Sequence, residues 1–247
     1  MRALLYAELL KLRTTRTFVA LAAVAVGLSV LITGLTALLS EPQPDQVLND
    51  VFNSDTSGLF ILILAIVGIS GEWRHRTITS SLLAAPDRLR FLAAKTLAFA
   101  AAGVVLSLLI ATAITIVGLS ILTARDLPTP GAGELAGLIA VNALLAALYG
   151  AFGVGIGALV RNQPTAIVGV LVASFAIEPV LLGLAPDVGR FGPFTALPIS
   201  VQDMSASNAG FGDVNLLSPG LALLALLAWI GTFFAAGAAL LRRRDVD

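Results

Sequence analysis

The sequence predicts an all-α membrane protein of six transmembrane helices. An amphipathic interfacial helix precedes the spans, a short cytoplasmic helix separates spans 2 and 3, and a partly re-entrant segment separates spans 5 and 6. Three observations predict this fold. The 247 residues have a mean hydropathy of +0.95 and only 12% are charged, about half the share of a soluble domain. Six apolar runs are bounded by Pro, Gly and charged residues. Of 15 basic residues, all but Arg125 and Arg190 fall in the N-terminal segment, the 71–95 segment, the turn at Arg161 or the C-terminus. Those segments therefore share the cytoplasmic side, and both termini lie there. The chain has no cysteine, which excludes disulfides, thiolate metal sites and a lipidated cysteine anchor.

Residues 1–16 read as the interfacial helix, with Leu5, Leu9 and Leu12 at i, i+4, i+7 and Arg2, Glu8, Lys11 and Arg13 on the polar side. The apolar run 18–39 exceeds the 7–15 residues of a signal-peptide core and is expected to be a retained first span. Residues 40–57 carry Glu41, Asp45, Asp50 and Asp55 with no Lys or Arg, as an outside loop. The uninterrupted core of the second span, 58–70, covers only about 20 Å against a hydrocarbon core of ~30 Å. The helix is therefore expected to begin near Asp50 and run over 50–73, with Phe52, Asn53, Ser54 and Asp55 helical and facing protein or water. A short helix with local bilayer thinning is the alternative.

Residues 71–95 form a charged island holding Glu72, Arg74, His75, Arg76, Asp87, Arg88, Arg90 and Lys95. Each such charge costs ~2.5–3.5 kcal/mol at the bilayer centre, so the island faces water. Ile78, Leu82 and Leu83 fall at i, i+4, i+5 with Thr77, Ser80 and Ser81 opposite, as in a short helix on the membrane surface. Pro86 ends it, and Asp87 suits the positive end of the next helix. On these residues alone the island is also readable as a basic loop that anchors two spans.

The third span, 92–123, leaves Lys95 able to snorkel to the interface. An outside loop with Asp126, Pro128 and Pro130 leads to the fourth span, 134–160, where Gly153-x-x-x-Gly157 predicts a helix-packing seam. Arg161-Asn162-Gln163-Pro164 is an inside turn. The fifth span, 165–185, contains Glu178 and Pro179. Glu178 lies 14 residues from Pro164, about 21 Å of rise, and an ionisable residue at that depth is a functional candidate by default. Alternatively it sits among the outer headgroups, or bonds backbone groups freed beside the Pro179 kink. Residues 186–217, interrupted by Gly189, Gly192, Pro193, Pro198 and Gly210, are too broken for a span. The sixth span, 218–241, stops at Arg242-Arg243-Arg244.

The order Glu72-x-Arg74-x-Arg76-Thr77, Pro86-x-Arg88-x-Arg90 and Lys95 opening an apolar run resembles the first cytoplasmic loop of type-2 ATP-binding-cassette (ABC) exporter permeases. By topology the resemblance covers nearly the whole chain; by motif it covers about 25 residues. It implies a single permease domain over 1–247 in a bacterial cytoplasmic membrane, with segment 77–85 as a coupling helix. Glu72, Arg74, Arg76, Thr77, Ile78, Leu82, Pro86, Arg88 and Arg90 would be the ATPase-coupling residues, with Glu72 paired to Arg88 or Arg90 as a rigid elbow. The implied partners are two ABC ATPase subunits, which would bind ATP and Mg, and a second permease chain, identical or homologous.

The chain lacks a Gly-x-x-x-x-Gly-Lys-Ser/Thr phosphate loop, so no cofactor is expected in it. His75 is its sole histidine and has no metal-ligand partner set. No metal, catalytic residue, enzymatic activity or nucleic-acid partner is therefore expected. A competing reading is a secondary transporter or channel subunit that uses Glu178 as an intramembrane ionisable site. Such a protein usually has internal repeats and paired ionisable residues in its spans, and neither pattern is evident here.

Overall fold

Among the described residues every regular element is helical, the outcome demanded where a backbone must satisfy its own polar groups in apolar surroundings. The computed structural model describes residues 2–44, 46–74, 87–160 and 162–243. The elements are α1 (Arg2–Thr14), α2 (Arg16–Leu39), a π-helical turn (Leu48–Phe52), α3 (Ser57–Arg74), α4 (Arg88–Ala124) and α5 (Ala132–Leu159). There follow α6 (Gln163–Val172), a second π-helical turn (Ala173–Ile177), α7 (Glu178–Leu184), α8 (Pro186–Gly189), α9 (Ala196–Val201) and α10 (Pro219–Arg243). Among these described residues six helical segments are long and apolar enough to cross a membrane: Arg16–Leu39, Leu48–Glu72, Arg88–Ala124, Ala132–Leu159, Gln163–Leu184 and Pro219–Leu241. The expected six-span pattern thus matches, and most boundaries move by one to four residues.

Local chemistry sets the ends. The Thr14 and Thr15 hydroxyls donate to the Leu10 and Lys11 carbonyls, closing α1 before α2 begins. Leu5 and Leu12 of α1 are half-buried while Leu9 is exposed, so the expected stripe is divided between two faces. Asp87 accepts from the Leu89 and Arg90 amides at 3.1 and 3.2 Å, and Asn162 accepts from the Thr165 amide at 3.2 Å with Pro164 in the first turn. These N-caps close the helix starts expected near Asp87 and at the 161–164 turn. Between α7 and α10 lie short helices and turns rather than a span, as expected of 186–217.

The second span differs from the expectation. Residues 53–56 are not helical, so the segment is a broken helix and not the continuous one predicted over 50–73. Its polar residues find partners on other helices, which removes the need for an intact backbone ladder.

The chain divides into two compact units, Arg2–Leu64 with Leu97–Gly150, and Ala65–Thr96 with Ala151–Asp247. In the first, Ala37, Val47, Val51, Phe52, Leu122 and Leu135 form an apolar cluster. Arg125 closes α2 by donating to the carbonyls of Ala37 at 2.7 Å and Ser40 at 2.9 Å, where a cation also complements the helix dipole. A Cβ on Gly103 would strike the Ala146 carbonyl, and one on Gly150 the Phe99 carbonyl, so α4 and α5 touch backbone to backbone.

In the second unit Gly157, one of the predicted pair, lets α5 lie on Ile66 and Ile69 of α3. Gly155 and Gly237 admit α10, with a Cβ on Gly237 falling 2.9 Å from the Ala158 Cβ. Gly153 is buried. The seam therefore involves more glycines than the single motif showed.

Gly150→Val is expected to cost about 1–3 kcal/mol or more, because a carbonyl cannot retreat without moving its helix. The melting temperature in detergent should drop by roughly 2–12 °C. Gly169→Ala, with nothing within 4 Å of its Cβ, should leave it unchanged.

Candidate functional site

Three polar constellations interrupt the apolar helices. The first joins the end of α3 to the start of α4. Lys95 Nζ lies 2.8 Å from Glu72 Oε1, donates to the Gly68 carbonyl at 3.4 Å and sits 5.3 Å from the centre of the Phe91 ring. Glu72 is 8% exposed and Lys95 2%. Charges buried this deeply persist only when paired. Lys95 therefore does not snorkel to the interface, and Glu72 pairs with it instead of with Arg88 or Arg90.

Helical geometry explains the correction. Arg90 lies about 140° around α4 from Lys95 and pairs with Asp87 at 3.0 Å in the exposed first turn. Arg88 shares the face of Lys95 but sits two turns nearer the helix start, where Nη1 donates to the Leu241 carbonyl in the last turn of α10. Arg74 ends α3 and is exposed. His75, Arg76, Thr77, Ile78, Leu82 and Pro86, with the predicted coupling helix 77–85, lie outside the described residues.

The second constellation is Glu178, 6% exposed. Pro179 has no amide to give the Phe175 carbonyl and its ring crowds that position. The helix widens just before it, and the Glu178 amide bonds to Ala173 five residues back. Glu178 Oε2 accepts from the amides of Phe194 at 2.9 Å and Thr195 at 2.6 Å, and Oε1 from Phe194 at 3.1 Å. The Thr195 hydroxyl donates to the Ser174 carbonyl at 3.1 Å. Gly192 lies so close that a Cβ would stand 2.7 Å from Oε2. Glu178 bonds free backbone groups, but they belong to the loop before α9 and not to the Pro179 kink.

The third is the break in the second span. Asp55 Oδ1 accepts from the Ser57 amide at 2.7 Å, capping α3, and Oδ2 accepts from the Ser107 hydroxyl of α4 at 2.6 Å. The Thr56 amide donates to Ser29 Oγ at 3.1 Å, and the Thr56 hydroxyl to the Ala25 carbonyl at 3.2 Å. The hydroxyls of Thr33 and Ser54 are hydrogen-bonded to each other. Ser29 lies eleven residues before Ser40, so the break sits ~16 Å below the end of α2 that Arg125 closes.

No protein-family model matches this chain, and no curated protein matches it. The geometry therefore carries the functional argument.

Among the described residues no group of three His, Asp or Glu side chains is placed to hold a metal. Glu72–Lys95 can transmit force between two helices, because both charges resist separation. Glu178 holds a loop on the fifth span. Asp55 offers a carboxylate among hydroxyls at a helix break, the arrangement in which transporters bind ions or protons. Sequence reasoning took Asn53, Ser54 and Asp55 as helical within 50–73, and so missed the break and the polar cluster that forms there. The available signal was Ser29 and Thr33, a hydroxyl pair at i, i+4 on an otherwise apolar helix.

Proposed function

We propose that this chain is the membrane-embedded permease subunit of an ABC exporter, driven by separate ATPase chains that bind ATP and Mg. It would pair with a second permease chain in a bacterial cytoplasmic membrane, with both termini cytoplasmic. The observation that carries the reading is the buried Glu72–Lys95 pair. It stands just before and after the 75–86 segment, so a push on that segment passes into α3 and α4 together. Six membrane-length helices and the bias of basic residues support the same reading. Docking of the ATPases on residues 72–91 and on α1, and their closure on ATP, would bias a two-state permease. The test is to purify the tagged chain from its host in mild detergent and assay ATP hydrolysis. A stoichiometric partner with a phosphate loop, whose substrate-stimulated hydrolysis falls when Glu72 is changed, supports the proposal; a chain that purifies without any ATPase opposes it.

The Asp55 network favours a second reading, an ion- or proton-coupled transporter. It moves the ionisable site from Glu178, which is held by loop amides, to Asp55 at the helix break. Transport by purified chain alone in vesicles with an imposed pH gradient, abolished by Asp55→Asn, would favour it.

A further inference from the structure

A cavity of about 630 Å³ lies between α5, the α6–α7 segment and α10, within the ~300–1,000 Å³ of small-molecule sites. Ile156, Val170 and Phe233 are among its walls, and the loop held by Glu178 closes one end. Ile177, Leu181 and Trp229 line it yet remain 51%, 37% and 38% exposed, so it opens sideways. Beside a helix of membrane length, a sideways opening faces acyl chains. Lining residues run from Thr165 to Leu181, about 24 Å of helix, longer than the ~15 Å of one leaflet's hydrocarbon.

Next to one end, between the lining residues Gly189 and Phe191, stands an under-used cation that is not itself a wall. Arg190 Nε is buried without a hydrogen-bond partner. Its guanidinium lies 5.4 Å from the centre of the Phe191 ring, a cavity wall. Its ion pair to Asp187 is long, 3.7 Å through Nη2, to a carboxylate that is 95% exposed. A guanidinium has five donors in a fork that fits phosphate. We propose that the cavity binds one anionic glycerophospholipid, with an acyl chain among the aromatic side chains and the phosphate on Arg190. This goes beyond the exporter reading and does not depend on it.

Trp229 reports directly, because the chain has two tryptophans and Trp73→Phe leaves it alone in the cavity wall. The full chain in detergent is titrated with phosphatidylglycerol brominated on its acyl chains. Fluorescence should fall saturably near one equivalent, and brominated phosphatidylcholine should bind about tenfold more weakly. Gly169 lines the cavity with nothing within 4 Å of its Cβ, so Gly169→Phe places a ring in the space and should abolish the saturable phase. Arg190→Gln should bring the two lipids within about twofold. Quenching that merely follows the lipid fraction of the micelle, equal in Gly169→Phe, would overturn the proposal as annular contact. Absence of quenching because a second chain fills the groove, detected by cross-linking at Leu181→Cys, would also overturn it. Should Gly169→Phe not fold, native mass spectrometry of the unaltered chain decides: one retained anionic phospholipid supports the site, and a bare chain refutes it.

Discussion

Lys95→Met is expected to lower the melting temperature in detergent by roughly 6–20 °C. Removing one partner of a buried ion pair costs about 3–5 kcal/mol, and each kcal/mol is ~2–4 °C for a chain of this size. The loss is steep because Glu72 would keep its charge at 8% exposure with Lys95, 2.8 Å away, removed. The double variant Glu72→Leu with Lys95→Met should recover most of the stability, since apolar replacements often match or exceed a buried pair. That recovery separates structure from mechanism. If the stable double variant still hydrolyses ATP without transport, the pair transmits force between α3 and α4. If coupling returns with stability, the pair only holds the fold, and the proposed elbow is wrong.

Much of the architecture was legible because apolar run length and the positive bias of one side are one-dimensional signals. Runs such as 18–39 and 134–160 need no tertiary knowledge to be read as membrane-length helices. The helix starts near Asp87 and after the 161–164 turn were equally local. What required three dimensions was partner choice. Glu72 is followed by four basic residues before Lys95 is reached, and sequence favours the nearer ones. Among the described residues, the helix face of Arg90 and the two-turn offset of Arg88 along α4 leave Lys95 as the partner. The break at 53–56 was hidden for a related reason. A helix extended back to Asp50 to reach membrane length carries this polar stretch without interruption, unless the Ser29, Thr33 and Ser107 hydroxyls that receive it are known to converge. Glycine spacing pointed to a seam but not to its extent, because Gly103 and Gly150 meet carbonyls of the facing helix at positions no short motif encodes.

Glu178 separates the two functional readings most sharply through a pair of substitutions. Glu178→Ala leaves the Phe194 and Thr195 amides without the oxygen they share. An unsatisfied buried amide costs about 1–3 kcal/mol, so the two together cost roughly 2–6 kcal/mol. The loop before α9 should detach, exposing residues 190–217 to protease at temperatures where the unaltered chain resists, and the melting temperature should fall by roughly 4–24 °C. Glu178→Gln retains one oxygen and nearly the same shape. It should keep the loop closed to protease and lose less than half of the stability lost by alanine. A site that carries protons or cations tolerates glutamine no better than alanine, because neither ionises. A loop anchor ranks them in order, with glutamine near the original in transport as well as in protease resistance. Glu178→Gln protein that is stable yet inactive would therefore return the ionisable role to Glu178, and active protein would leave Asp55 as the ionisable group to test in the membrane.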